Sequence, residues 1–149
     1  MFTPDHIEPG ITLHATATRE KIKTGGICHI ALDVTDLGRS VKFYTDLFNM
    51  DVVSNSDNIV HLKTSGADDS FFLFKADGPV GPEKCGMRHM HFGFRISEDN
   101  FDRAVEYIKK NNIKIHLNPA RKPGRYIYIE DPDGYVIQLE PREGCKCGG

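Results

Sequence analysis

No stretch of the 149-residue chain is apolar for long enough to cross a bilayer, so a membrane-spanning protein is not expected. Charge of one sign is missing too. Nineteen Lys and Arg against 21 Asp and Glu leave a formal net charge of −2, and neither nucleic acid nor an anionic membrane is an expected partner. Residues Met1 to Ala15 lack the basic and apolar blocks of a secretory signal, which makes a cytoplasmic location the expectation. Cysteine is sparse and scattered. Cys28 falls inside an expected strand, Cys85 in a Gly/Pro-rich link, and Cys145 and Cys147 in the tail, a placement that argues against a disulfide framework. The closing Cys-Lys-Cys-Gly-Gly reads as a terminal tail, since one Cys-x-Cys brings too few ligands for a soft metal ion.

What the chain does contain is a repeat. His29-Ile-Ala-Leu-Asp-Val and His91-Phe-Gly-Phe-Arg-Ile both alternate like strands, both open on histidine, and both run into an amphipathic helix. The first helix is expected from about Leu37 to Met50, with Leu37, Val41, Tyr44 and Phe48 on one face and Asp36 or Thr35 as N-cap. Strands follow at 51–54, 59–63 and 70–75. The link 76–88 is rich in glycine and proline. After strand 90–96 comes a helix capped by Ser97, with Phe101, Ala104, Val105 and Ile108 as its stripe. Strands are then expected at 113–117, 125–130 and 135–140, the last two joined by the turn Asp131-Pro132-Asp133-Gly134. The order β-α-β-β-β is written twice. The expected organisation is an extension at 1–24, one domain at 25–141 with modules of about 27–75 and 89–140, and a tail at 142–149.

Strand alternation sorts packing from chemistry. Ile30, Leu32 and Val34 pack in the first strand, leaving His29, Ala31 and Asp33 on the other face. Phe92, Phe94 and Ile96 pack in its counterpart, leaving His91, Gly93 and Arg95. The last strands turn Gln138 and Glu140, and Tyr126, Tyr128 and Glu130, to that second face. Histidines at equivalent positions beside the small Ala31 and Gly93 favour a concave site over a solvated surface.

His29-Ile-Ala-Leu, the helix Arg39-Ser-Val-Lys-Phe-Tyr-Thr-Asp-Leu-Phe, His91-Phe-Gly-Phe and Tyr128-Ile-Glu-Asp-Pro-Asp-Gly-Tyr together resemble the vicinal oxygen chelate superfamily over residues 27 to 140. This group includes glyoxalase I, fosfomycin-resistance and bleomycin-binding proteins and extradiol dioxygenases. The resemblance implies an α+β fold in which paired βαβββ modules form a half-open, barrel-like sheet with helices outside, and a divalent metal at the cavity floor. Carried over by position, the ligands fall on His29, His91 and Gln138, where the family normally has glutamate. A neutral amide leaves the cation's charge uncompensated, and Glu140, two residues further on the same face, is the alternative third ligand. The metal's identity stays open among Fe, Mn, Zn and Ni.

The resemblance also implies a second shell of roles. Tyr128 falls at the position of a tyrosine that steadies an oxyanion. The distal histidine of the dioxygenases would fall near Asp69 or Ser70, and the fourth glyoxalase ligand on a strand reading Phe71-Phe72-Leu73-Phe74, so neither reaction is favoured. His61 is a candidate general base, and Phe72, Phe74 and Tyr126 are candidate walls for a planar or apolar substrate. Arg95 is a candidate for orienting an anionic group. Two functions remain open. One is an enzyme using the metal as Lewis acid on vicinal oxygens of a small-molecule substrate. The other is a metal-free binding or sequestering protein. A homodimer is implied by family habit.

Overall fold

The computed structural model describes residues 22–87, 89–116 and 125–142. The N-terminal extension up to residue 21 and the cysteine-containing tail lie outside them. The element order is β1 (His29–Val34), α1 (Leu37–Phe48), β2 (Met50–Asn55), β3 (Ile59–Thr64), β4 (Ser70–Lys75), β5 (His91–Ile96), α2 (Glu98–Lys110), β6 (Ile127–Glu130) and β7 (Val136–Pro141). No helix among these residues is long and apolar enough to cross a membrane.

Local chemistry sets the helix bounds. The Asp36 carboxylate accepts from the Arg39 amide at 2.9 Å and caps α1. Asn49 then adopts φ 51°, a left-handed conformation asparagine tolerates. The helix therefore stops at Phe48, short of the expected Met50, which opens β2 instead. Ser97 holds the N-cap position of α2, where Glu98 and Asp99 in the first turn and Lys109 and Lys110 in the last suit the helix dipole.

The strands form two sheets, one of four strands in the order β1-β4-β3-β2 and one of three in the order β5-β7-β6. Each opening strand pairs in parallel with the last strand of its module: His29 opposes Ser70, and His91 opposes Val136. The expected strand at 113–117 is reduced, among the described residues, to the single antiparallel bridge Ile115↔Ile129. Two backbone bonds flank it, His116 N to Tyr128 O and Glu130 N to Lys114 O. The α+β plan of paired modules is the observed one. The two sheets stay open and are not hydrogen-bonded to each other among the described residues.

The modules share one core. Leu32, Val34, Leu62, Phe71 and Leu73 of the first join Ile129, Ile137 and Leu139 of the second in a continuous buried cluster. The Phe71 and Phe92 rings meet at 5.6 Å, and Phe48 at the end of α1 lies 4.5 Å from Phe94. A second tie is polar. The Tyr44 hydroxyl, on α1, donates to the Asp131 carboxylate at 2.7 Å. Asp131 also accepts from the Asp133 and Tyr135 amides, each at 2.9 Å, which fixes the turn. Asp133 in turn receives Arg39 at 3.1 Å. Gly81 in the link, at φ 97°, lies so close that a Cβ there would stand 2.4 Å from the Asp133 carbonyl oxygen.

Candidate active site on two sheet faces

Because the sheets meet through their apolar, helix-bearing faces, each histidine face is left pointing away from the shared core. In β1, His29, Ala31 and Asp33 are exposed while Leu32 and Val34 are buried. In β5, His91, Gly93 and Arg95 are exposed while Phe92, Phe94 and Ile96 are half-buried. The expected alternation is therefore observed, but His29 and His91 sit on different sheets. They also line different concavities, one of about 590 Å³ with His91, Gln138 and Glu140 and one of about 960 Å³ with Cys28 and His29, although Gly93, Phe94 and Arg95 line both. Among the described residues no group of three or more His, Cys, Asp or Glu side chains is placed to hold a metal ion.

The first face is aromatic. The His61 ring stacks on Phe72 with centroids 4.4 Å apart, and His29 meets the same ring edge-on at 5.9 Å. Phe74 lies beside Phe72 at 6.4 Å. His61 Nε2 is 3.0 Å from the Ser70 hydroxyl, so its partner is a neutral group. His29 Nδ1 stands 3.2 Å from Cys28 Sγ.

The second face is polar. His91 Nδ1 lies 2.9 Å from the His89 carbonyl, which can only accept; Nδ1 therefore carries the proton and Nε2 keeps its lone pair. Gln138 is 8% exposed. Its Nε2 donates to Glu140 at 3.3 Å, and Arg142 reaches the same carboxylate oxygen at 3.3 Å. With Nε2 so committed, Oε1 is the atom the amide offers a cation. Gly93 opposes Gln138 across the sheet, and a Cβ on it would press to 3.0 Å from the Gln138 carbonyl oxygen. The small residue thus suits the close backbone approach of β7.

Tyr128 opposes Gln138 from β6, its ring edge-on to His91 at 5.5 Å and to Tyr126 at 5.5 Å. It is 4% exposed, and its hydroxyl is buried with no hydrogen-bond partner. A buried orphan hydroxyl is costly. One beside an imidazole and an amide suits a site built to receive an oxygen-bearing ligand. Two imidazoles and an amide oxygen are acceptable donor types for a first-row divalent ion, so their chemistry fits such a group, while within one chain His29 stands apart from His91 and Gln138.

His116 escaped the sequence reading. Its Nδ1 lies 2.9 Å from Glu130 Oε1, and Lys114 Nζ lies 2.7 Å from the other oxygen. Burial pushes the Glu130 carboxyl up, but the bonds from Lys114 and His116 outweigh it and hold the group below the ordinary glutamate range. Only the alternation of Lys114, Ile115 and His116 hinted at this face.

The model of the Glyoxalase/Bleomycin resistance protein/Dioxygenase superfamily matches residues 26–139. The metallothiol transferase FosB of Staphylococcus epidermidis is 27% identical over 113 residues, covering 74% of this chain and 78% of that protein. A probable chloroplastic lactoylglutathione lyase of Arabidopsis thaliana is 32% identical over 124 residues, 76% of this chain but only 35% of that longer protein. Among solved structures, the fosfomycin resistance protein FosX of Listeria monocytogenes, complexed with Mn(II) and sulfate, superposes with a TM-score of 0.65 at 23% identity. That match covers 80% of this chain and 91% of FosX, a likeness of fold.

Proposed function

Because the chain belongs to the Glyoxalase/Bleomycin resistance protein/Dioxygenase superfamily, we propose that it is a metal-dependent enzyme acting on a small molecule that presents two neighbouring oxygens. We further propose that a homodimer completes its site, with His29 of one protomer meeting His91 and Gln138 of its partner. The observation that carries this is the separation of the two histidines onto different sheets of one chain, each on the opening strand of its module. Those strands, β1 and β5, are both sheet edges, and open edges call for cover. A two-fold axis that set β1 of each protomer against β5 of the other would close both edges and build two identical sites.

In such a site His29 Nε2, His91 Nε2 and Gln138 Oε1 hold the cation, with the Glu140 carboxylate the alternative to the amide. A divalent ion bound there supplies Lewis acidity to the paired oxygens of the substrate. The chain's own groups do the rest. The Tyr128 hydroxyl, buried and without a partner, donates to an oxygen that gains negative charge. Phe72 and Phe74 from one protomer exclude water on one wall, Tyr126 on the other, while Arg95 orients an anionic substituent.

Metal content and its dependence on both histidines test the reading. Protein purified without chelators is expected to carry a divalent metal that His29→Ala and His91→Ala each abolish. Co-expressed, the two variants regain metal in mixed dimers, because one of the two composite sites is then fully wild type. Metal in neither wild type nor mixed dimer, with stability unchanged on adding Mn, Fe, Zn or Ni, would overturn it in favour of a metal-free sequestering protein. The neutral Gln138 is the feature that favours this second reading.

A further inference from the structure

We propose that His116 is the proton-transferring residue of this site and that Glu130 is the residue that positions it. The pairing of the second sheet puts them there. Ile115 bridges Ile129, so His116 stands opposite Tyr128 and Lys114 opposite Glu130. Directly opposed residues share a sheet face. Tyr128 in turn opposes Gln138, which opposes Gly93, and Glu130 opposes Val136, which opposes His91. His116 therefore lies on the face that carries His91 and Gln138, with Tyr128 between it and both.

Its chemistry differs from that of the other histidines. His61 has the neutral Ser70 hydroxyl and His91 a backbone carbonyl, whereas His116 has a carboxylate, at 2.9 Å from Nδ1. A carboxylate at Nδ1 fixes the tautomer with the proton on that nitrogen, leaving Nε2 as a base, and it stabilises the imidazolium that forms on protonation. Lys114, at 2.7 Å from the second oxygen, keeps Glu130 ionised for that purpose. The charged and titratable groups facing this pair are Lys114, Tyr128 from β6 and Glu83 from the link, whose charge acts on Lys114. Glu130 is 15% exposed and His116 34%, so the carboxylate is shielded while the imidazole stays accessible. In the step proposed, Nε2 takes the proton from a ligand hydroxyl: the O–H bond breaks, an Nε2–H bond forms, and the positive charge settles beside Glu130.

This proposal rests on the composite site above, and the experiment separates the two. Imidazole ¹⁵N NMR on the full chain, with no metal added, is expected to find His116 with its proton on Nδ1. That preference is lost in Glu130→Gln. A proton on Nε2, or a tautomer indifferent to Glu130→Gln, overturns the pairing. Acetohydroxamic acid then serves as a probe, since it chelates through two adjacent oxygens with loss of one hydroxyl proton. Calorimetry on Mn(II)-loaded protein in buffers of different ionisation enthalpy is expected to find few protons released by wild type and about one by His116→Gln. Equal release with intact hydroxamate binding overturns the role of His116 alone. Failure of Mn(II) to bind wild type overturns the metal reading, and the assignment of His116 with it.

Discussion

The two modules share an order of elements but present opposite chemistry on their outward faces. The first lays down a four-stranded sheet whose outward face is aromatic, with Phe72 gripped between His61 and His29 and Phe74 beside it. The second lays down three strands whose outward face carries Gln138, Glu140, Tyr128 and the Lys114–Glu130–His116 cluster. Both modules thus carry the apolar, inward-facing pattern that builds the core, while their outward positions differ. The first module's outward face is mainly aromatic beside His29, and the second's is mainly polar. The proposed composite site draws on both faces, one from each protomer.

If the modules are one cooperative unit despite that divergence, Phe71→Ala is the most damaging change. Phe71 is 3% exposed and its ring meets both Tyr44 and Phe92. Truncation should cost about 3–5 kcal/mol, read as one shifted unfolding transition; two separate transitions would show the modules to be independent. Tyr44→Phe comes next. It strips a donor from the Asp131 carboxylate, which is 5% exposed, and the expected loss is about 1–3 kcal/mol in denaturant unfolding. On the donor side, Gln138→Glu adds the charge the cation lacks and should tighten Mn(II) on the order of tenfold by titration. An unchanged affinity would point to Glu140 as the ligand or to no metal site.

Adjacent carboxylates give a pH comparison with opposite signs. Glu130 is held below its ordinary range, so the folded state binds fewer protons than the unfolded one there. Its stabilisation is complete above the unfolded pKa and is lost as pH falls through the folded value. Asp131 is raised, first by burial and against the bonds it accepts from Tyr44, Tyr135 and Asp133. Its contribution is greatest below the unfolded pKa and declines as pH rises through the folded one. Melting temperatures across pH should therefore lose part of the acid-side fall in Glu130→Gln and part of the decline on rising pH in Asp131→Asn. A common slope change in both variants would contradict this. The smallest effect expected is from Lys42→Ala, whose partner Asp46 is an exposed i,i+4 neighbour; its melting temperature should match wild type.

Much of this molecule is local enough to be read in one dimension. Alternation in His29–Val34 and His91–Ile96 reports which residues are turned inward, because a strand's side chains have a period of two. Asp36 caps α1 through a residue three positions on. Asn49 is where such reading slips by two residues, since a left-handed cap is one choice among several. The burial of Tyr128, the 14-residue reach from His116 to Glu130 and the 87-residue reach from Tyr44 to Asp131 were out of sight. Each depends on which strands become neighbours.

The sequence by itself determined the order of elements, apart from the strand at 113–117 that the structure reduces to one bridge, and the face on which each histidine lies, because backbone periodicity is fixed by covalent geometry. Only the tertiary structure decided that the two apolar faces pack on one another through Phe71, Phe92, Phe48 and Phe94. Burying both greasy surfaces in one core is what turns the His29 and His91 faces outward, onto separate sheets.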